Sequence, residues 1–197
     1  MKKLHTVFIL MGVFAVLLLS ACGKERVPGA KNWDVESFAY TNQDGNTISK
    51  QDLKGKVWIA DFMFTSCQDV CLPMTANMVK LQQMLKDKGI ENVEFVSFSV
   101  DPNTDKPAVL KEFGQRFKAD FENWNFLTGY KQSQIESFAK DSFHTIVQKP
   151  ENMDQVMHGI NFYLIDQKGK VIQYYNGVKG TPFDDIVKHI KILQDSN

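Results

Sequence analysis

Residues 57–74 read VWIADFMFTSCQDVCLPM, an apolar run that ends at two cysteines and a proline. The nearly unbroken apolar stretch before the cysteines predicts a strand that is buried on both faces of a sheet. After the cysteines, apolar residues recur at helical spacing from Met74 to Leu85. Cys67 and Cys71 are therefore predicted to lie where a buried strand turns into a helix.

Buried strands and amphipathic helices continue to alternate towards the C-terminus. The further predicted elements are a strand over 93–100, a helix from Pro107, a helix capped by Ser133, a hairpin of strands 161–165 and 171–175, and a helix from Thr181. We therefore predict an α/β protein with a thioredoxin-like fold, an N-terminal extension and a C-terminal β-hairpin plus helix. A doubly wound nucleotide-binding fold is disfavoured, because no glycine-rich phosphate loop follows any of these strands.

Length and composition exclude several classes of protein. The 197 residues are 43% hydrophobic and 23% charged, which fits one globular domain. Basic and acidic residues both number 23, so the formal net charge is zero and we predict no nucleic-acid partner. Three cysteines are too few for a disulfide scaffold. Neutral charge without an evident apolar stripe predicts a monomer.

The first 21 residues have the pattern of a lipoprotein signal peptide. Two lysines precede an apolar run that is shorter than the roughly 20 residues of a membrane-spanning helix. The following LSAC, residues 19–22, resembles a lipobox, the bacterial signal for lipid attachment to a cysteine. We therefore expect a lipid on Cys22, a tether over 22–32 and a domain over 33–197, held at the extracytoplasmic face of a bacterial cell membrane.

With Cys22 assigned to the lipid, Cys67 and Cys71 remain as a pair of thiols. Residues four apart on a helix have Cβ atoms about 5–6 Å apart. A modest local adjustment would then allow either a disulfide or two thiolate bonds to one metal ion. A helix N-terminus stabilises a thiolate and favours both chemistries. A purely structural pair of buried cysteines is the third interpretation.

Copper suits a site of this kind better than zinc does. A structural zinc site usually has four ligands from two clusters of cysteines or histidines, and the sequence has no second cluster. Two thiolates and one imidazole suit both Cu(I) and Cu(II). The predicted domain offers His144 near a helix end, His158 in a loop before a strand and His189 on the last helix. The pattern favours His158 without deciding between a ligand and a structural loop residue.

Several motifs, in their order along the chain, resemble the Sco (SenC) family. They are Cys67-x-x-x-Cys71 with Pro73, Val100-Asp101-Pro102 with Asp105, Phe126-Leu127-Thr128-Gly129, His158 before a strand, and Asp166-x-x-Gly169. The resemblance covers residues 33–194. The chain departs from the family pattern at Leu72, where many members have a proline directly after the second cysteine.

The resemblance implies a thioredoxin-fold copper protein that helps to assemble the CuA centre of cytochrome c oxidase. By this resemblance, Cys67, Cys71 and His158 would bind copper, and the CuA-bearing subunit would be the partner. The same thiols would also be able to form a disulfide or to reduce the cysteines of that subunit. Asp101 and Asp105 match an acidic loop motif of the family. We expect them near the site as partner-docking or supporting groups, not as ligands.

Two enzyme classes with the same fold are the alternatives. Thiol–disulfide oxidoreductases generally have a Cys-x-x-Cys pattern, whereas three residues separate Cys67 from Cys71. Thiol peroxidases generally have a Pro-x-x-x-Thr-x-x-Cys loop, and no proline precedes Thr65 at that spacing. We therefore predict a copper metallochaperone, with an extracytoplasmic thiol–disulfide oxidoreductase as the main alternative. Of the methionines, only Met157 is predicted as an outer contact of the site.

Overall fold

The computed structural model describes residues 25–67, 69–151 and 153–196. The predicted signal peptide and Cys22 lie outside these residues. The strands, β1 to β10 in chain order, are Trp33–Asp34, Ala39–Thr41, Thr47–Ser49, Val57–Met63, Val93–Ser99, Trp124–Leu127, Val147–Gln148, Met157–His158, Asn161–Ile165 and Lys170–Asn176. The helices, α1 to α4, are Cys71–Asp87, Pro107–Phe117, Gln132–Phe143 and Phe183–Gln194.

A six-stranded sheet forms the centre of the domain, in the order β1-β10-β9-β4-β5-β6. The strands β4, β5 and β6 are parallel, as helical crossovers require. The strand β9 pairs antiparallel with β4 and forms a hairpin with β10. This arrangement confirms the predicted α/β class with a C-terminal hairpin and helix.

Helices pack on both faces of the sheet, so every residue of β4 is buried. On one face, Phe143 of α3 meets Phe62 of β4, with ring centroids 5.2 Å apart. On the other face, Phe113 of α2 meets Phe126 of β6 at 6.3 Å. Among the residues that the structure describes, no helix is both long and apolar enough to cross a membrane.

Three local features differ from the sequence-based expectations. His158 was expected in a loop, but it lies in β8, which pairs with β7. The strand β6 was missed, because its four residues show little alternation of apolar and polar side chains and include the polar, partly buried Asn125. The predicted cap at Ser133 is wrong, since α3 begins one residue earlier and its N-cap is Lys131. The side chain of Gln134 accepts a hydrogen bond from the Lys131 N–H at 2.8 Å and satisfies the helix entry instead.

The segment before β1 is fastened to the edge of the sheet. The Lys31 N–H donates to the carbonyl oxygen of Ile172 at 2.9 Å, and the Gln173 side chain donates to that of Pro28 at 3.2 Å. Further back, Glu25 pairs with Lys188 of α4 at 3.1 Å. The described part of the predicted tether therefore follows β10 and α4.

Candidate metal centre

The three predicted ligands meet at the carboxyl end of β4. Cys67 lies in the turn that follows β4, Cys71 is the first residue of α1, and His158 ends the short strand β8. One donor atom from each residue lies within 4.8 Å of the other two. Because α1 begins only at Cys71, the two cysteines do not share a helical face. Cys67 instead reaches Cys71 from the preceding turn.

Hydrogen bonds orient the donor atoms of the group. The Cys71 N–H donates to the Cys67 Sγ at 3.4 Å, and the Cys71 Sγ lies 3.2 Å from the His158 Nε2. The His158 Nδ1 lies 2.9 Å from the carbonyl oxygen of Gly159, which can only accept. The proton of a neutral His158 therefore belongs on Nδ1, and Nε2 presents its lone pair to the sulfur of Cys71.

The two thiols differ in their readiness to ionise. A hydrogen bond from the Cys71 thiol lowers the pKa of Cys67 well below its ordinary value, although burial opposes this effect. The same bond, together with burial, raises the pKa of Cys71. Cys67 is thus the more readily ionised thiol of the pair. The first backbone N–H groups of α1 also favour a thiolate at this position.

The site is shielded from solvent without being closed. Cys71 is fully buried, whereas 8% of Cys67 is exposed and His158 is half-buried. The Phe64 ring stands edge-on to the His158 ring, with centroids 5.8 Å apart. Both cysteines are free thiols. The pair is therefore accessible along the side that carries Cys67 and His158.

A buried carboxylate ties down the turn that carries Cys67. Asp105 accepts hydrogen bonds from the Thr65 N–H at 3.2 Å, the Thr65 hydroxyl at 2.5 Å and the Ser99 hydroxyl at 2.6 Å. Thr65 precedes Cys67 by two residues, so these bonds link the cysteine turn to the end of β5. Asp105 is 0% exposed and lies outside the group of donor atoms.

Asp101 ties down the other side of the site. Its carboxylate pairs with Lys149 at 2.8 Å, and the Asp101 side chain is almost completely buried. Lys149 follows β7, the strand that pairs Val147 with His158. The ion pair therefore joins the loop after β5 to the ribbon that carries the histidine. Asp101, like Asp105, contributes no atom to the donor group.

The sequence analysis missed Asp61, a carboxyl group inside β4. It is 1% exposed, and its Oδ1 atom has no hydrogen-bond partner among the described residues. Burial raises the pKa of Asp61 to about 6, against the opposing effects of Ser97 and His158. Asp61 also raises the pKa of Cys71 through its charge. A single aspartate within an otherwise apolar strand was the signal available in the sequence.

The two other histidines of the domain have partners of their own. His144 ends α3 in the left-handed conformation, and its ring lies 4.3 Å from the Trp33 ring. The His189 Nδ1 lies 2.7 Å from the hydroxyl of Tyr175. Neither residue belongs to the donor group around the cysteines. The structure thus brings His158, and not these two, to the thiol pair.

The match to known families is extensive. The family model described as SCO1/SenC matches residues 28–194, nearly all of the described chain. The chain belongs to the SCO1/SenC family. This confirms the resemblance given by the cysteine, aspartate and histidine motifs.

Solved structures of SCO1/SenC proteins share the fold of this one. A SCO1/SenC family lipoprotein from Bacillus anthracis is 56% identical, with a TM-score of 0.82, over 85% of this chain and 98% of its own. BsSco is 49% identical, with a TM-score of 0.81, over 88% and 100%. It is described as having a disulfide switch and as a member of the Sco family of cytochrome c oxidase assembly proteins. These similarities confirm the predicted thioredoxin-like fold.

A more distant SCO1/SenC structure contains copper. Yeast Sco1 with copper bound is 27% identical to this chain, with a TM-score of 0.66, over 81% of this chain and 89% of its own. The donor set found here, two sulfurs and one imidazole nitrogen, has the softness that copper prefers.

Proposed function

We propose that this SCO1/SenC protein binds copper through Cys67, Cys71 and His158 and delivers it to the CuA centre of cytochrome c oxidase. The observation that carries the proposal is the convergence of two sulfurs and the His158 Nε2 within 4.8 Å. The copper-bound yeast structure and the assembly role given for BsSco support it.

Two features of the site favour the binding of copper, namely the ionisation of the thiols and the orientation of the imidazole. Cys67 ionises more readily than Cys71, and both sulfurs bind copper as thiolates. The hydrogen bond from the His158 Nδ1 to Gly159 keeps Nε2 free for the metal. Three donors leave room for a ligand from an acceptor protein, which transfer requires. Copper is in this account a cargo that the protein carries and releases.

We propose that exposed apolar side chains next to two of the ligands along the chain form the docking surface for the acceptor. Leu72 is 47% exposed next to Cys71, and Met157 is 55% exposed next to His158. Met153, in the loop that leads to β8, is 54% exposed. We call these three residues the apolar collar and assign them to contact with the CuA-bearing subunit, because exposed apolar side chains near a transfer site favour docking of a partner.

Asp101 and Asp105 act in this proposal by positioning the ligands. Asp105 holds the turn with Cys67 through Thr65, and Asp101 holds the histidine ribbon through Lys149. Both carboxylates are too deeply buried to meet a partner directly, with 2% and 0% exposure. Mutation of a residue that positions a metal ligand typically lowers the metal affinity about 10–100-fold.

The N-terminal residues support a proposal for where the protein is located in the cell. We propose that residues 1–21 are removed as a signal peptide and that Cys22 carries the lipid. The domain is then held, as a monomer, at the extracytoplasmic face of the bacterial membrane. The LSAC motif and the lipoprotein from Bacillus anthracis support this assignment.

Reduction of the acceptor's cysteines is a second candidate function, favoured by the free thiol pair. The Cys67 thiolate would attack a disulfide of the acceptor and form a mixed disulfide. Cys71 would then attack Cys67, which leaves a Cys67–Cys71 disulfide and two reduced thiols on the acceptor. The two electrons come from the pair itself.

Transfer to the metal-free CuA domain separates the two functions. The copper-loaded chain is mixed with a reduced acceptor, and the metal-free reduced chain is mixed with an oxidised acceptor. Metallochaperone activity predicts the CuA absorption spectrum in the first mixture. New acceptor thiols in the second mixture, without transfer in the first, would instead establish the reductase.

A further inference from the structure

An aromatic patch lies at the β1 edge of the sheet, away from the metal centre. The rings of Trp33 and Tyr174 stack with centroids 6.0 Å apart and planes inclined by 20°. The Lys31 ammonium group lies 5.5 Å from the centroid of the Tyr174 ring. Tyr174 is 41% exposed, and Trp33 is half-buried. We call these three residues the edge patch.

The chain that leads to the edge patch is fastened close to its N-terminal end. Glu25 is held by Lys188, and Lys31 is held by the backbone of Ile172. Glu25 follows Cys22 by only three residues, which span at most about 10 Å. A lipid on Cys22 therefore brings a bilayer within about 10 Å of Glu25. Lys31 of the edge patch follows Glu25 by six residues, which span at most about 20 Å.

We propose that the edge patch rests in the headgroup layer of the bilayer, so that the domain stands on its β1 edge. The inference rests on the lipid anchor at Cys22 proposed above. Tryptophan and tyrosine combine an apolar ring with a polar end, and both favour the membrane–water interface. Lys31 adds a positive charge that suits the phosphates of anionic lipids.

The size of the patch also favours a bilayer over a protein partner. A stable protein interface buries about 800 Å² on each side. Two partly exposed rings and one lysine offer much less area than this. A lipid surface needs no shape complementarity, and the lipid on Cys22 already holds the domain against it. A shallow contact is therefore enough to select one orientation.

This orientation fixes where the metal centre points. In the order β1-β10-β9-β4, the strand β4 lies three strand spacings from β1, which is about 14 Å. The strands then run along the membrane surface, and the site at the end of β4 opens sideways. Cys67 thus faces the space just above the bilayer, where the extracytoplasmic part of a neighbouring membrane protein lies.

Tryptophan fluorescence of the full lipidated chain tests the proposal. The protein is reconstituted in vesicles of phosphatidylcholine and phosphatidylglycerol whose acyl chains are brominated close to the headgroup. Trp58 and Trp124 are 0% exposed inside the sheet, so Trp33 is the tryptophan that bromine can reach. We expect brominated lipid to quench the emission, and we expect Trp33→Phe to abolish this quenching.

Two further variants distinguish a specific contact from mere closeness to the anchor. Tyr174→Ser keeps the Trp33 reporter and should reduce its quenching. Val109→Ser removes an equally exposed apolar side chain from α2, which packs on β6 at the opposite edge, and should leave the quenching unchanged. Circular dichroism checks that each variant is folded.

Vesicle flotation and copper binding are measured on the same samples. If the parent protein floats with the vesicles but is not quenched, the edge-patch contact is wrong while the anchor and the copper site stand. Equal quenching of the parent and Tyr174→Ser would also overturn it. Quenching that persists in Trp33→Phe would place the membrane contact elsewhere on the domain.

Discussion

The Cys71 Sγ and the His158 Nε2 lie 3.2 Å apart, although 87 residues separate them along the chain. This contact depends on the pairing of β8 with β7, which sets His158 opposite Val147. The ion pair between Lys149 and Asp101 then fixes that ribbon to the end of β5. The sheet and its loops thus build a three-donor site that neither the cysteine segment nor the histidine segment contains alone.

His158→Ala should weaken the binding of Cu(II) more than that of Cu(I). Cu(I) is satisfied by the two sulfurs, whereas Cu(II) relies on the harder imidazole nitrogen. Competition with chelators selective for each ion measures the two affinities, and His144→Ala is the matched control. Equal losses for the two ions would remove His158 from the coordination set.

Asp105→Ala should destabilise the domain by about 3 kcal/mol, because the buried Thr65 and Ser99 donors lose their charged acceptor. Asp105→Asn keeps one acceptor oxygen and should cost less. Urea unfolding measures both variants. Copper affinity should fall about 10–100-fold in Asp105→Ala as the Cys67 turn loosens. Parent-like stability and affinity would show that Asp105 positions nothing.

Asp61 should make the metal-free, reduced protein less stable as the pH rises. Burial raises its pKa from 3.8 to about 6, so the folded state holds this proton more tightly than the unfolded chain. Below pH 3.8 the Asp61 carboxyl group is protonated in both the folded and the unfolded state, so it does not lower the free energy of unfolding. As the pH rises to about 6, ionisation comes to cost about 3 kcal/mol, and this cost persists at higher pH.

Asp61→Asn removes this titration and should therefore gain stability over the parent between pH 4 and pH 7. Urea unfolding of both proteins across this range gives the difference directly. The other titrating groups cancel in the comparison, except His158 and Cys71, which interact with the Asp61 charge. A difference that does not change with pH would contradict the buried, ionisable carboxyl group.

The double variant Leu72→Ser with Met157→Ser should slow copper transfer to the CuA domain without changing copper affinity. Both changes remove exposed apolar area from the collar and leave the three donors in place. Stopped-flow absorption measures transfer, and Val109→Ser on α2 is the control. An unchanged transfer rate would exclude the collar as the docking surface.

The strand-to-helix junction was predictable because its signals are local. The apolar run gives β4, Val57–Met63, and the helical spacing after it gives α1, Cys71–Asp87. The strand β6 has only four residues, and its place is set by pairing with β5. Four residues are too few for an alternating or apolar pattern that would predict a strand from the sequence.

The chemistry of the site was predictable only in part. The two cysteines stood out by their spacing, and His158 was singled out by a family motif. The hydrogen bonds of Asp105 to Thr65 join residues 40 positions apart, and no local pattern reports them. Asp61 was overlooked because its raised pKa and its effect on Cys71 depend on its burial, which is a property of the folded sheet.

Titration of the reduced protein with Cu(II) under anaerobic conditions, followed by optical absorption, tests the central claim most directly. We predict an intense thiolate-to-copper charge-transfer band that saturates at one equivalent and is lost in Cys67→Ala and Cys71→Ala. Ser66→Ala, on the same turn, should keep it. Rapid bleaching with formation of a Cys67–Cys71 disulfide and no stable complex would contradict the copper carrier.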